Sequence, residues 1–286
     1  MASEIDKLII QTNSIASFPE IVHRVNMAVD SPRFSLDRVG KIISEDPVLS
    51  ARLLKIANSS LYGFPVKVDT IARALTLIGT KQLRDLITAS MVIDMFNGKL
   101  KPLISMESFW RHSIACGVAA RVIATARREA NVERYYLTGL LHDIGLLVIY
   151  AQLPEQATTI LQRSKEEKIL MCEAEHDLLG FDHAELGGEL LRNWNLPPDL
   201  HEPVSRHHTP SQSTDYQLEA AIVHVADILV MSMRLGGSGE VRISAFEPAS
   251  WELIELPDST VPQIMEHVEI QYQDALKAFL PDTQSS

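Results

Sequence analysis

His112, His142, Asp143, His183, His207, His208 and Asp227 are the residues of this chain whose types and grouping could do chemistry. Imidazole nitrogens and carboxylate oxygens are good donors to first-row divalent metals, with bonds of about 2.0–2.2 Å to zinc. Two of the groups are adjacent pairs, His142-Asp143 and His207-His208. Neighbouring residues on a helix diverge by about 100°, so a pair can address one ion from two directions or bridge two ions through its carboxylate. The first pair lies in YLTGLLHDIGLLVIY, a largely apolar stretch from Tyr136 to Tyr150. Burying ionisable groups there is costly unless each other, a metal or a substrate satisfies them. Residue types and spacing leave three readings open: a catalytic metal centre, a metal site without turnover, and a hydrogen-bonded His–Asp network.

The remaining histidines take plainer readings. His23 and His267 stand alone, and His176 and His201 read as surface or supporting groups. His224 sits one helical turn before Asp227, where it could orient a ligand, though packing is the plainer reading. Cys116 and Cys172 lack CxxC spacing and read as free, buried thiols of a reducing compartment.

The elements that must position these groups are helical, because apolar residues recur at helical spacing and strand-like alternation is nearly absent. Leu49, Leu53 and Ile56 form one stripe, with Asp46 as its N-cap and Pro47 in the first turn. Ile71, Leu75 and Ile78 form a second, and after Gly79 a third runs through Leu83, Ile87 and Met91. A long helix is predicted from Ser105, with Trp110, Ile114, Val118 and Val122 on one face. Further helices fit PEQATTILQRSKEE, CEAEHDLLG, HAELGGELLRNW, PPDLHEPVSRHH, YQLEAAIVHVADILVMSMRL and TVPQIMEHVEIQYQDALKAFL. NGKLKPLIS marks a boundary and GGSGE, at 236–240, a flexible turn. The expected architecture is all-α, in two packed helical bundles. Residues 1–97 form an N-terminal helical module, 98–235 a metal-binding-type helical half, and 236–286 the flexible turn and a C-terminal helical tail.

A net charge of −11 argues against direct nucleic-acid binding through a phosphate backbone. No apolar run approaches the roughly 20 residues needed to cross a bilayer, and the start MASEIDKLII lacks the character of a signal peptide. A cytoplasmic location is the expectation.

The ordered series of His, then His-Asp, then Asp resembles the HD superfamily of metal-dependent phosphohydrolases. FPEIVHRVNMAV, EDPVLSARLLKIANSSLYGFP and the segment from Ile71 to Leu86 resemble the N-terminal module of its regulatory HDOD family. WRHS, LTGLLHDIGLL, GFDHAELGGELLRNWNLPPDL, SRHH and VHVADIL resemble that family's HD-like half. The resemblance spans roughly residues 15 to 235. It implies that His112, His142, Asp143 and Asp227 surround one ion. His183, with one or both of His207 and His208, would hold a second, and Asp143 would bridge. One or two divalent transition-metal ions are expected; Fe, Mn, Ni and Zn are not distinguished by these ligand types.

HD-GYP relatives, which cleave cyclic di-GMP, mark the departures. Leu146 stands where they carry the lysine of HDIGK, Thr209 replaces the acid of HHE, and the GYP segment is absent. Ser108 stands where some relatives place a further metal-binding glutamate. The resemblance therefore implies a bacterial signal-transduction protein that binds a partner protein or a small nucleotide. The alternative is a metal-dependent phosphohydrolase or phosphodiesterase acting on a nucleotide or cyclic dinucleotide. In that case His142 and Asp143 would carry the chemistry, with Arg111 and Arg206 as candidates to meet a substrate phosphate.

Overall fold

Side-chain caps start the helices where the sequence marks them. Asp46 accepts from the Leu49 N–H at 2.9 Å, and Asp182 does the same for Glu185 at 2.9 Å. Ser105 accepts from the Ser108 N–H at 3.2 Å. Each bond satisfies a backbone donor that the first helical turn leaves without a partner. The computed structural model describes residues 4–15, 18–96 and 103–280.

The described residues form helices and no strand. The first group is α1 (Glu4–Ile15), α2 (Glu20–Val29), α3 (Leu36–Ser44), α4 (Pro47–Ala57), α5 (Ile71–Ile78) and α6 (Thr80–Phe96). The second opens with α7 (Met106–Arg127), α8 (Val132–Leu141), α9 (Ile144–Gln152), α10 (Pro154–Glu167) and α11 (Met171–Leu179). It continues through α12 (His183–Asn193), α13 (Pro198–Ser205), α14 (Gln217–Met233), α15 (Pro248–Ile254) and α16 (Val261–Phe279). None of these helices is long and apolar enough to cross a membrane.

Helices α2 to α6 pack on one another, while α7 runs through the second group against α8, α14 and α16. The chain order and the packing diverge at both ends. Helix α1 lies on α9 and α12, and α16 lies on α7 and α4, so each end of the chain reaches across the expected division. One apolar core results, running from Leu8 to Phe279. The expected boundary between residues 97 and 98 falls outside the described residues.

The turn expected at 236–240 packs over the start of α7. Gly237 N–H donates to the Ser108 carbonyl at 3.1 Å, and the Tyr150 hydroxyl donates to the Ser238 carbonyl at 2.8 Å. Gly236, at φ 82°, lies so close that an added Cβ would stand 2.4 Å from the backbone nitrogen of His112. Glycine supplies both the positive φ and the close approach.

A buried charge network ties the two groups together. Asp85 of α6 accepts the Arg134 guanidinium of α8 at 3.2 Å, and both residues are almost fully buried. Arg84 adds a longer contact to Asp85 and reaches Asp30, just past the end of α2, at 3.3 Å. Removing one partner leaves a buried charge uncompensated. Asp85→Ala is expected to lower unfolding free energy by about 3 kcal/mol, read as a drop in the urea midpoint at unchanged slope.

Candidate metal centre

Five parts of the chain converge on one buried cluster. Helix α7 supplies His112, with Cys116 one turn further on the same face. The α8–α9 junction supplies His142 and Asp143, α12 begins with His183, the turn after α13 carries His207 and His208, and α14 supplies Asp227. Neither adjacent pair sits inside a continuous helix, unlike the geometry expected of them. Helix α8 stops at Leu141 and α9 starts at Ile144, leaving His142 and Asp143 as the corner between them. α13 likewise ends at Ser205, before His207-His208.

Close backbone approaches set this geometry. A Cβ on Gly139 of α8 would stand 2.6 Å from the Cys116 carbonyl, so α7 and α8 cross in near contact. A Cβ on Gly145 of α9 would stand 2.0 Å from the His183 carbonyl and 2.9 Å from the Gly187 nitrogen. That missing side chain lets α12 bring His183 up to Asp143.

Asp143 divides its carboxylate between two sets of imidazoles. Oδ2 lies 3.3 Å from His142 Nε2 and 3.6 Å from His112 Nε2. Oδ1 lies 3.2 Å from His183 Nε2 and 4.0 Å from His207 Nε2. Asp227 Oδ1 closes the first set, 3.2 Å from His112 Nε2 and 3.8 Å from His142 Nε2. His208 joins the second, its Nε2 2.9 Å from that of His183. All are buried except His208, which is half-buried.

The far side of each ring decides what faces inward. His142 Nδ1 donates to the Gly139 carbonyl at 2.7 Å, and His207 Nδ1 to the Val204 carbonyl at 2.8 Å. A carbonyl only accepts, so Nδ1 carries a proton in both rings and Nε2 is the atom turned into the cluster. His183 Nδ1 is held by Glu175 at 2.7 Å, and the same carboxylate oxygen accepts the His183 backbone N–H at 2.8 Å. The Nε2 atoms of His142 and His207 are fully buried without a hydrogen-bond partner among the described residues. Converging, unpartnered nitrogens beside two carboxylates form a group that could hold a metal ion.

The electrostatics point the same way. Burial opposes a charge on His142, but Asp143 and Asp227 hold its imidazole up, to about 8. Burial likewise opposes a charge on His183, and Glu175 and Asp143 hold it well above the usual histidine range. His207 and His208 are pushed well below that range by burial and by neighbouring imidazoles. The carboxylates thus favour positive charge between them, while the outer rings stay neutral and able to donate.

Of three supporting groups, the sequence gives no sign of two and only a weak one of the third. Cys116 was legible as the i+4 neighbour of His112, but a solitary cysteine in an apolar helix gives no further signal. Glu175 lies eight residues before His183, on another helix, where no spacing rule connects them. His224, read first as packing and second as orienting a ligand, donates from Nδ1 to the His207 carbonyl at 2.9 Å and holds that turn. Arg111 is half-exposed and tied to Glu107 at 3.0 Å, and Arg206 is half-buried in the turn just before His207. Leu146 is core.

Partners on the far side of a ligating imidazole typically set metal affinity by 10–100-fold. Glu175→Gln is therefore expected to weaken binding at the His183 side by about tenfold or more, measured by competition against a chelating dye.

The HDOD domain model matches residues 15–210. The chain belongs to the HDOD domain family. An HDOD domain protein of unknown function from Geobacter sulfurreducens is 26% identical to this HDOD chain, with a TM-score of 0.74 over 96% of this chain and 98% of that one. A provisionally named phosphohydrolase from Shewanella amazonensis SB2B shares the fold at 23% identity and a TM-score of 0.75, covering 95% and 98%. An uncharacterized protein of Treponema pallidum (strain Nichols) is 25% identical over 223 residues, which are 76% of this HDOD chain and 42% of that protein. The HDOD chain thus spans less than half the length of that relative.

Proposed function

We propose that this HDOD chain is a signal-transduction module that holds one or two divalent transition-metal ions in the His/Asp cluster and acts by binding a partner protein or small nucleotide. The observation that carries this reading is the burial of the donors: His112, His142, Asp143, His183, His207 and Asp227 are all at least nine-tenths covered. Donors enclosed this way brace the five segments that meet there, and a bound ion stabilises the folded state by RT ln(1 + [L]/Kd), about 2.7 kcal/mol at 100-fold over Kd. Leu146, buried at the position of the HD-GYP lysine, supports the same reading, because an apolar core side chain offers nothing to a phosphate.

Hydrolysis of a phosphodiester is the second reading. It is favoured by the division of the Asp143 oxygens between two histidine sets and by the partial exposure of His208. Bound divalent ions would supply Lewis acidity and a water of lowered pKa. The chain's own part would be to aim the Nε2 atoms of His142, His207 and His183 into the cluster through Gly139, Val204 and Glu175, and to keep the Asp143 carboxylate ionised.

The test is elemental analysis of the purified chain, followed by thermal melts with and without chelator. A melting temperature that falls by roughly 5–10 °C on stripping supports the metal reading. A metal-free protein whose melt ignores added Mn, Fe, Ni and Zn overturns it. Turnover of cyclic dinucleotides or nucleotides by the metal-loaded chain, lost in the His142→Ala, Asp143→Ala double variant, would select the hydrolytic reading.

A further inference from the structure

We infer that Cys116 is itself a ligand of the first metal position, completing a soft His112–Cys116–His142–Asp227 set beside a harder one built from His183, His207 and His208, with the Asp143 carboxylate shared between the two. This rests on the metal reading above and deepens it, because it fixes the chemical class of ion each half prefers.

The geometry comes first. Cys116 Sγ lies 3.6 Å from His112 Nε2 and 3.8 Å from Asp227 Oδ1, while those two donors are 3.2 Å apart. Bonds of about 2.0–2.1 Å to nitrogen and oxygen and 2.3 Å to sulfur, arranged tetrahedrally, require donor separations of about 3.3–3.6 Å. His142 Nε2 is the fourth corner, and the four donor atoms all lie within 4.8 Å of one another. That nitrogen is fully buried and without a hydrogen-bond partner, pointing into the same space. The sulfur therefore sits among groups already placed to converge on a cation.

The consequence is selectivity. A thiolate favours zinc, cobalt or ferrous iron over manganese or magnesium, which prefer oxygen. The second half offers only imidazole and carboxylate. Coordination replaces the S–H bond by an S–metal bond, with no change of oxidation state, and the thiol proton leaves to solvent.

Cobalt(II) titration of the full reduced chain, followed by absorption, decides the matter. A thiolate ligand gives intense near-ultraviolet sulfur-to-cobalt charge transfer, whereas imidazole and carboxylate alone give only weak visible bands. The chain contains just two cysteines. The charge-transfer band is expected within the first equivalent in the wild type and in Cys172→Ser, which assigns it to Cys116 even where Cys116→Ser proves unstable. In folded Cys116→Ser the band is expected to vanish while cobalt still binds. Zinc affinity should fall by about 10–100-fold, and manganese affinity should change little. Bound cobalt without charge transfer, or a band that survives Cys116→Ser, overturns the assignment and leaves the metal reading standing. Failure to bind cobalt or zinc at all removes both.

Discussion

Replacing Asp143 by alanine is expected to empty both halves of the cluster at once. Its two oxygens face both histidine sets, with His142 at 3.3 Å on one side and His183 at 3.2 Å on the other. Loss of His112 removes one donor from one half, whereas loss of Asp143 removes a donor and a negative charge from each. Wild-type protein should hold at least one equivalent of transition metal, and Asp143→Ala less than about 0.1 equivalent. Elemental analysis checks this directly. The same variant should also lose the chelator-sensitive part of its thermal stability, so its melt should no longer respond to chelator. Retention of a full equivalent would show that Asp143 is not shared. Asp227→Ala provides the contrast: it should spare the His183, His207 and His208 side.

Gly145→Ala should be the most damaging glycine-to-alanine substitution among the described residues. The new Cβ would lie 2.0 Å from the His183 carbonyl, a backbone atom that cannot rotate away. Overpacking of a tight interior usually costs about 1–3 kcal/mol, and a backbone-to-backbone clash places this case at the upper end or beyond. Relief requires α9 and α12 to separate, which carries His183 away from Asp143. Two measurements are therefore coupled. The urea midpoint should fall, and metal bound on the His183 side should be lost even in conditions where the chain stays folded. Gly180→Ala, at a helix end with open space around it, is the control; it strains a positive φ but meets no neighbour. A stable Gly145→Ala protein with full metal content would contradict the packing argument.

The motif HDIG thus reads in two parts. His142 and Asp143 were legible by type, since ionisable residues in an apolar run demand an explanation. The glycine was legible only as an interruption, because the atom it avoids belongs to a helix nearly forty positions later in the chain. Leu146 shows the reverse case: its departure from the HD-GYP lysine was plain in sequence, and its burial states the physical meaning.

Local chemistry determined the helices. Periodicity, caps such as Asp46 and Ser105, and breaks at glycine and proline act over a few residues, so the all-α class and most helix positions were readable from the chain alone. The same holds for the residue types of the site and their order, which carry the HDOD resemblance. Tertiary structure decided the rest. It set which imidazole nitrogen faces inward, through carbonyls and through Glu175. It brought Cys116 among the donors and packed the 236–240 turn onto α7. It also laid α1 and α16 across the division that sequence composition suggests. Apart from the Gly139 and Val204 carbonyls, which lie three residues before the rings they hold, these depend on contacts between separate elements, where spacing carries no information and only the packing of α7, α8, α9, α12 and α14 fixes distance.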